Sequence, residues 1–135
     1  MDHTLRKLDF DFFGHGKHKI TLDKFFNLEK CLLLDVRSKE ETIAFPLKIQ
    51  IYPNVSVQNI PLNEIPDRIE EVSQDQFIGI FCSGTFRSSV AYTYLVSNGF
   101  SEICIIENGY VSLTEAMKPG KLFKSLQTQK FNKDK

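Results

Sequence analysis

Four short apolar runs, CLLLDV (31–36), VSVQNI (55–60), FIGIFC (77–82) and EICIIE (102–107), alternate along the chain with amphipathic segments. Such alternation is what a sheet joined by crossover helices produces. Several of the runs are apolar at nearly every position, which predicts strands covered on both faces, as in a parallel sheet. Three segments read as crossovers. In TLDKFFNLEK, Thr21 is a candidate N-cap, and Leu22, Phe25, Phe26 and Leu28 supply one apolar face. NEIPDRIEEV places Ile65, Ile69 and Val72 at helical spacing with its acids facing outward. RSSVAYTYLVSNG pairs Val90 with Tyr94 and Ala91 with Leu95, and Gly99 closes it as a C-cap. AFPLKIQIYPNVS (44–56), with two prolines and no period, reads as a loop or an edge element.

The chain has 135 residues, enough for one hydrophobic core. Lysine plus arginine and aspartate plus glutamate both number 17, so no global positive field recruits nucleic acid or an anionic membrane. No apolar stretch reaches the length of a signal or a membrane span. Three cysteines without a CxxC pair argue against a disulfide framework, a zinc ribbon and a thioredoxin-type dithiol, and the expectation is a cytoplasmic protein. The end of the chain, 121–135, is basic and lacks an apolar pattern, so it is expected to be a flexible tail.

Chemistry concentrates in CSGTFRS (82–88). Cys82 lies where an apolar strand stops and small polar residues begin, which is the setting of a reactive, partly exposed thiol. Backbone amides of a tight strand-to-helix connection can turn inward as an anion nest, and the helix adds its partial positive end. Arg87 reinforces that field, which favours the thiolate. Gly84 permits positive backbone dihedrals, and Ser83, Thr85 and Ser88 supply hydroxyls. Phe86 either lids the pocket or tucks into the core, and it hints at a substrate that is not wholly polar.

LLLDVRSKEE (32–41), QNIPLNEIP (58–66), IFCSGTFRSSVAYTYLVSNGF (80–100) and IIENGY (105–110) occur in the order of the rhodanese-like sulfurtransferase domain, which the chain resembles over roughly residues 20 to 120. On that reading 1–19 is an N-terminal extension. The resemblance implies an α/β fold, a parallel sheet of about five strands flanked by helices on both faces, with the cysteine loop at the carboxyl edge of the central strand. It implies that Cys82 takes a sulfane sulfur from thiosulfate, polysulfide or a persulfide, carries it as a persulfide, and passes it to a thiol, cyanide or a sulfur-accepting protein. No cofactor is implied. Carried over position by position, Ser83 through Arg87, with Ser88, form the substrate-binding loop, and Asp35 and Arg37 match a DVR element that is structural and close to the site.

The chain departs from the family pattern in the loop. Gly84 comes one position early, and Thr85 takes the usual glycine place. Asn108 stands where a first glycine is common, a residue that also tolerates left-handed backbone. The family's histidine-containing approach to the second strand is replaced by FPLKIQIYPNV. Ser83 replaces a basic residue frequent in members that use thiosulfate, which makes a dianion a poorer donor and polysulfide or a protein persulfide a better one.

Competing readings are a non-catalytic binding or redox-sensing module on the same fold and a cysteine phosphatase or arsenate reductase. The latter families place one more residue between cysteine and arginine to enclose a tetrahedral oxyanion. Cys31 and Cys104, inside CLLL and ICII, read as core. His15 and His18 in GHGKH are too few for a metal site.

Overall fold

The structure is a computed structural model that describes residues 1–49 and 51–133, leaving aside the side chains of 125 and 128–133. Two short helices, α1 (Asp2–Lys7) and α2 (Phe10–His15), precede the strand β1 (Lys19–Ile20) and the helix α3 (Leu22–Phe25). Strand β2 (Cys31–Asp35), helix α4 (Lys39–Ala44) and strand β3 (Val55–Asn59) follow, then the helical turn α5 (Ile65–Arg68) between two 3-10 turns. The second half holds β4 (Phe77–Phe81), α6 (Phe86–Ser97), β5 (Ile103–Ile106), α7 (Gly109–Ala116) and α8 (Pro119–Lys133).

The five strands form one sheet in the order β1-β5-β4-β2-β3, and all four pairings are parallel. Strand β4 is therefore central. Alternate side chains point to opposite faces of a strand, and two cores result. Leu32, Leu34, Ile78 and Ile80 meet Ile65, Ala91 and Leu95 on one face; Cys31, Leu33, Phe81 and Ile106 meet Leu22, Phe25, Leu113 and Ala116 on the other. Each fully buried leucine, isoleucine or phenylalanine contributes about 1.5–3 kcal/mol. Gly79 makes the second core possible, because a Cβ there would lie 2.6 Å from Phe25 Cε2 and 2.8 Å from Ile106 Cδ1.

Several expectations change in the folded chain. VSVQNI is not a buried strand: β3 lies at the sheet edge, paired only with β2, and its residues are half-buried or exposed. Among the described residues of the stretch 45–54 before it none lies in a strand or helix, yet Ile49 and Tyr52 are buried, and Tyr52 stacks on Phe26 at 4.2 Å. NEIPDRIEEV is broken into short turns, with Pro66 in the first turn of α5, where proline is tolerated. Thr21 is the N-cap residue of α3 but makes no side-chain cap. Of the segment 121–135, expected to be a flexible tail, the described part to Lys133 belongs to α8, which starts at Pro119 where a missing amide costs nothing, and 134–135 lie outside the described residues.

The N-terminal extension packs on the domain. Ser97 Oγ on α6 donates to Thr4 Oγ1 at 2.9 Å, and β1, at the end of the extension, completes the sheet beside β5. His15 closes α2 and is exposed, whereas the His18 ring lies against Phe12 and Phe13 at 5.1 and 5.4 Å. Among the described residues no group of three metal-ligating side chains occurs.

Candidate active site

Parallel strands end together, so the loops after β2, β4 and β5 share one edge of the sheet. The loop after β4 begins with Cys82. Its side chain turns back under the first turn of α6, where the Ser88 amide donates to Sγ at 3.4 Å and Sγ lies 3.4 Å from Ser88 Oγ. The first four amides of a helix have no partner within it. Ser88 is the third residue of α6, so its otherwise unpaired amide meets the sulfur. Ser88 itself is fully buried, and its hydroxyl donates to the Thr85 carbonyl at 3.0 Å.

Cys82 is only 1% exposed, which corrects the expectation of a partly exposed thiol. Phe86 is 79% exposed and therefore does not tuck into the core. Gly84 corrects a third expectation: it has no positive φ, and a Cβ there would meet nothing within 4 Å. The left-handed backbone lies in the facing turn after β5 instead. Asn108 has φ 56° and Gly109 φ 25°, conformations that asparagine and glycine tolerate best. A Cβ on Gly109 would collide with the Cys82 carbonyl oxygen and fall 2.5 Å from the Ser83 carbonyl. That close approach lets the Tyr110 amide donate to the Ser83 carbonyl at 3.1 Å and the Asn108 amide to Thr85 Oγ1 at 3.3 Å. The turn after β5 thus holds the cysteine loop in place.

Two arginines stand around this loop. Arg37, wholly buried, donates Nε and Nη2 to the two oxygens of Asp35 at 2.9 and 2.7 Å, and Nη1 to the Phe45 carbonyl and Tyr110 Oη at 2.9 and 3.1 Å. Its carbon Cζ lies 5.4 Å from the Phe81 ring centre and 5.7 Å from that of Tyr110. Tyr110 therefore joins the two parts of the site, its hydroxyl on Arg37 and its amide on the cysteine loop. Arg87, expected to reinforce the positive field of the loop, is itself paired with a carboxylate. It forms a fork on Glu41, Nη1 to Oε1 at 2.6 Å and Nη2 to Oε2 at 2.9 Å, and Nη2 also donates to Ser83 Oγ at 2.9 Å. The Arg87 guanidinium holds the Glu41 carboxyl down to about 2; burial opposes this and the Ser38 amide assists it.

Glu41 and Tyr110 are the two site residues that sequence reasoning missed. A signal for Glu41 exists in SKEE: Ser38 Oγ accepts from the Glu41 amide and Glu41 Oε1 from the Ser38 amide, both at 3.2 Å, a capping box that fixes α4 and aims Glu41 at Arg87. Tyr110 carries none beyond its place in IIENGY. The other two cysteines are core residues as expected, with burial pushing Cys31 up to about 11 and Cys104 up to about 12.

Comparison with known proteins bears on this geometry. The tRNA uridine(34) hydroxylase of Chlamydia abortus is 28% identical over 121 residues, covering 84% of this chain and 36% of that protein; the Chlamydia felis enzyme is 26% identical over 120 residues. The chain thus spans about a third (36%) of the length of these curated relatives. A rhodanese-like domain protein from Staphylococcus aureus superposes with a TM-score of 0.55 at 28% identity, over 70% of this chain and 88% of that one. An NAD-dependent persulfide reductase from A. fulgidus superposes at 0.58 with 27% identity, over 76% of this chain and 17% of that one. The family model described as the rhodanese-like domain matches residues 20–116, from the first strand of the sheet to the last residue of α7. Since that match covers well over half of the chain, including the four strands β2 to β5 and the whole Cys82 loop, the chain belongs to the rhodanese-like domain family.

Proposed function

We propose that this protein is a sulfurtransferase that carries a sulfane sulfur as a persulfide on Cys82. The observation that carries the reading is the position of Sγ at the end of the central strand, with the Ser88 amide of the first turn of α6 directed at it. Unpaired amides at a helix start are donors that hold anionic groups. In the first half-reaction the Cys82 thiolate attacks the outer sulfur of thiosulfate, the Sγ–S bond forms, the S–S bond of the donor breaks, and sulfite leaves with the electron pair. With a polysulfide or an organic persulfide the leaving group is the shortened polysulfide or the thiolate. In the second, a thiolate or cyanide attacks the terminal sulfur and Cys82 leaves as thiolate. Charge and sulfur balance in both steps, and neither needs a cofactor or a metal.

Cys82 is nearly covered in the folded chain. The three free cysteines fit a reducing compartment such as the cytoplasm, and among the described residues no helix is long and apolar enough to cross a membrane. The relatives named as tRNA uridine hydroxylases and a persulfide reductase place rhodanese-like domains inside longer chains. Burial of Cys82 favours one competing reading, a non-catalytic binding module on the same fold. Turnover with thiosulfate or an organic persulfide as donor and cyanide as acceptor separates the two. Wild-type turnover lost in Cys82→Ala is the expected result; turnover retained in that variant, or absent in the wild type with every donor, refutes the enzyme reading.

A further inference from the structure

Each arginine at the cysteine loop is matched by its own carboxylate. Arg37 is saturated by Asp35, Phe45 and Tyr110. Arg87 is forked by Glu41, with side-chain exposures of 29% and 32%, so this second pair lies at the rim of the loop. Ser83 adds no charge, and its hydroxyl is engaged by Arg87. The exposed ring of Phe86 stands in the same loop. The net side-chain charge of these four groups is zero, and the loop that follows Cys82 offers an exposed apolar ring.

We propose that Glu41 is a specificity-determining residue: by pairing Arg87 at the rim of the Cys82 loop, it turns the site away from dianionic donors such as thiosulfate and toward a monoanionic organic persulfide. The inference rests on the sulfur-transfer reading and names the donor class for it. Glu41 does not touch the reacting sulfur; it acts through Arg87 and through its own charge. A dianion meets twice the repulsion from that carboxylate that a monoanion meets, and twice the attraction of an Arg87 left unneutralised. An organic persulfide also brings a carbon body for which Phe86 is a fitting neighbour, whereas thiosulfate brings only oxygen atoms to a rim with no spare cation among these residues.

Glu41→Gln tests this with little structural disturbance. A glutamine keeps the capping box with Ser38 and one hydrogen bond to Arg87 while removing the charge. The measurement is kcat/KM of the wild type and of Glu41→Gln for thiosulfate and for 2-hydroxyethyl persulfide, at low and at high salt. The expected result is a rise of roughly tenfold in the thiosulfate-to-persulfide ratio at low salt, shrinking at high salt as the freed charge is screened. A merely structural role, such as loosening of the loop, would move both donors together and would not respond to salt.

A second readout needs no turnover. Peptide mass spectrometry follows alkylation of Cys82 by neutral iodoacetamide and anionic iodoacetate, with the buried Cys31 and Cys104 as internal controls. Glu41→Gln is expected to raise the iodoacetate-to-iodoacetamide rate ratio at Cys82 several-fold. Sulfur transfer with unchanged ratios in both assays would overturn the role of Glu41 and leave the function standing. No transfer to wild-type Cys82 from either donor would overturn the sulfur-transfer reading, and the donor assignment with it.

Discussion

Asp35–Arg37 and Glu41–Arg87 are the same chemical pair in two environments. The first is 0% and 1% exposed, and every group around its guanidinium is part of the fold: a strand-end carboxylate, a loop carbonyl, a tyrosine hydroxyl and two aromatic rings. The second is about one-third exposed and joins a short surface helix to the cysteine loop. A buried ion pair is costly to assemble and costlier to break, because removing one member strands the other in a low dielectric. A rim pair is screened by water and contributes little to stability. Two like-looking contacts beside one sulfur therefore do different work: one fixes the frame, and the other sets the charge that a ligand meets.

The largest effect is expected from Arg37→Ala, which leaves the Asp35 carboxylate buried and unpaired. A loss of about 3–5 kcal/mol in urea unfolding is expected. Arg37→Lys should rescue little, since an ammonium cannot reproduce the fork on Asp35 and reach Phe45 and Tyr110 as well. Next comes Gly109→Ala, which touches neither pair but drives a methyl into the Cys82 and Ser83 carbonyls. About 1–3 kcal/mol of strain is expected, together with a loss of sulfur transfer that stability alone does not explain; Gly84→Ala, in open space, is the matched control and should be near neutral in stability. Arg87→Ala should cost only about 0–1 kcal/mol. If it cost more than Arg37→Ala in the same urea titration, the contrast between frame and rim would be broken.

The smallest effect is the pH dependence of the rim pair. The Glu41 carboxyl is held down to about 2 against an ordinary value of 4.5, with Arg87 the main cause. A lowered acid stabilises the fold above its unfolded value and loses that contribution as pH falls through the folded one. The stability difference between wild type and Glu41→Gln is therefore expected to be constant above about pH 4.5 and to shrink toward about pH 2. A difference that grows on acidification would mean that Arg87 is not the partner that matters.

Much of this arrangement was legible in the residues. Three of the four apolar runs are buried strands as read, because continuous burial leaves a continuous apolar signature in CLLLD, FIGIF and ICII. The cysteine loop at a strand end and the capping place of Gly99, φ 93°, also follow from local residue types, whereas the central place of that strand and the left-handed Asn108 follow from the family resemblance. What escaped depends on distant partners. Strand β1 has two residues, too few for any period, and exists because β5 offers an edge. VSVQNI looked like the other runs, but pairing on one side only left Ser56 and Val57 exposed. Gly84 looked like the glycine that the loop needs, whereas the steric demand falls on Gly109, 25 positions later by number. Glu41 is separated from Arg87 by 46 positions. Nothing in either segment alone says that the arginine charge is cancelled.

The persulfide on Cys82 is the claim on which the functional account stands, and intact-protein mass spectrometry followed by peptide mapping tests it most directly. Wild-type protein is exposed briefly to thiosulfate, to polysulfide and to 2-hydroxyethyl persulfide in turn, then divided and treated with cyanide or buffer. The expected result is one added sulfur atom on the Cys82 peptide, removed by cyanide, with no addition at Cys31 or Cys104 and a higher yield from the organic persulfide than from thiosulfate. An unmodified Cys82 with every donor, in protein whose Cys82 is nonetheless alkylated by iodoacetamide, would contradict sulfur transfer and leave a rhodanese-like domain that uses its thiol for another purpose.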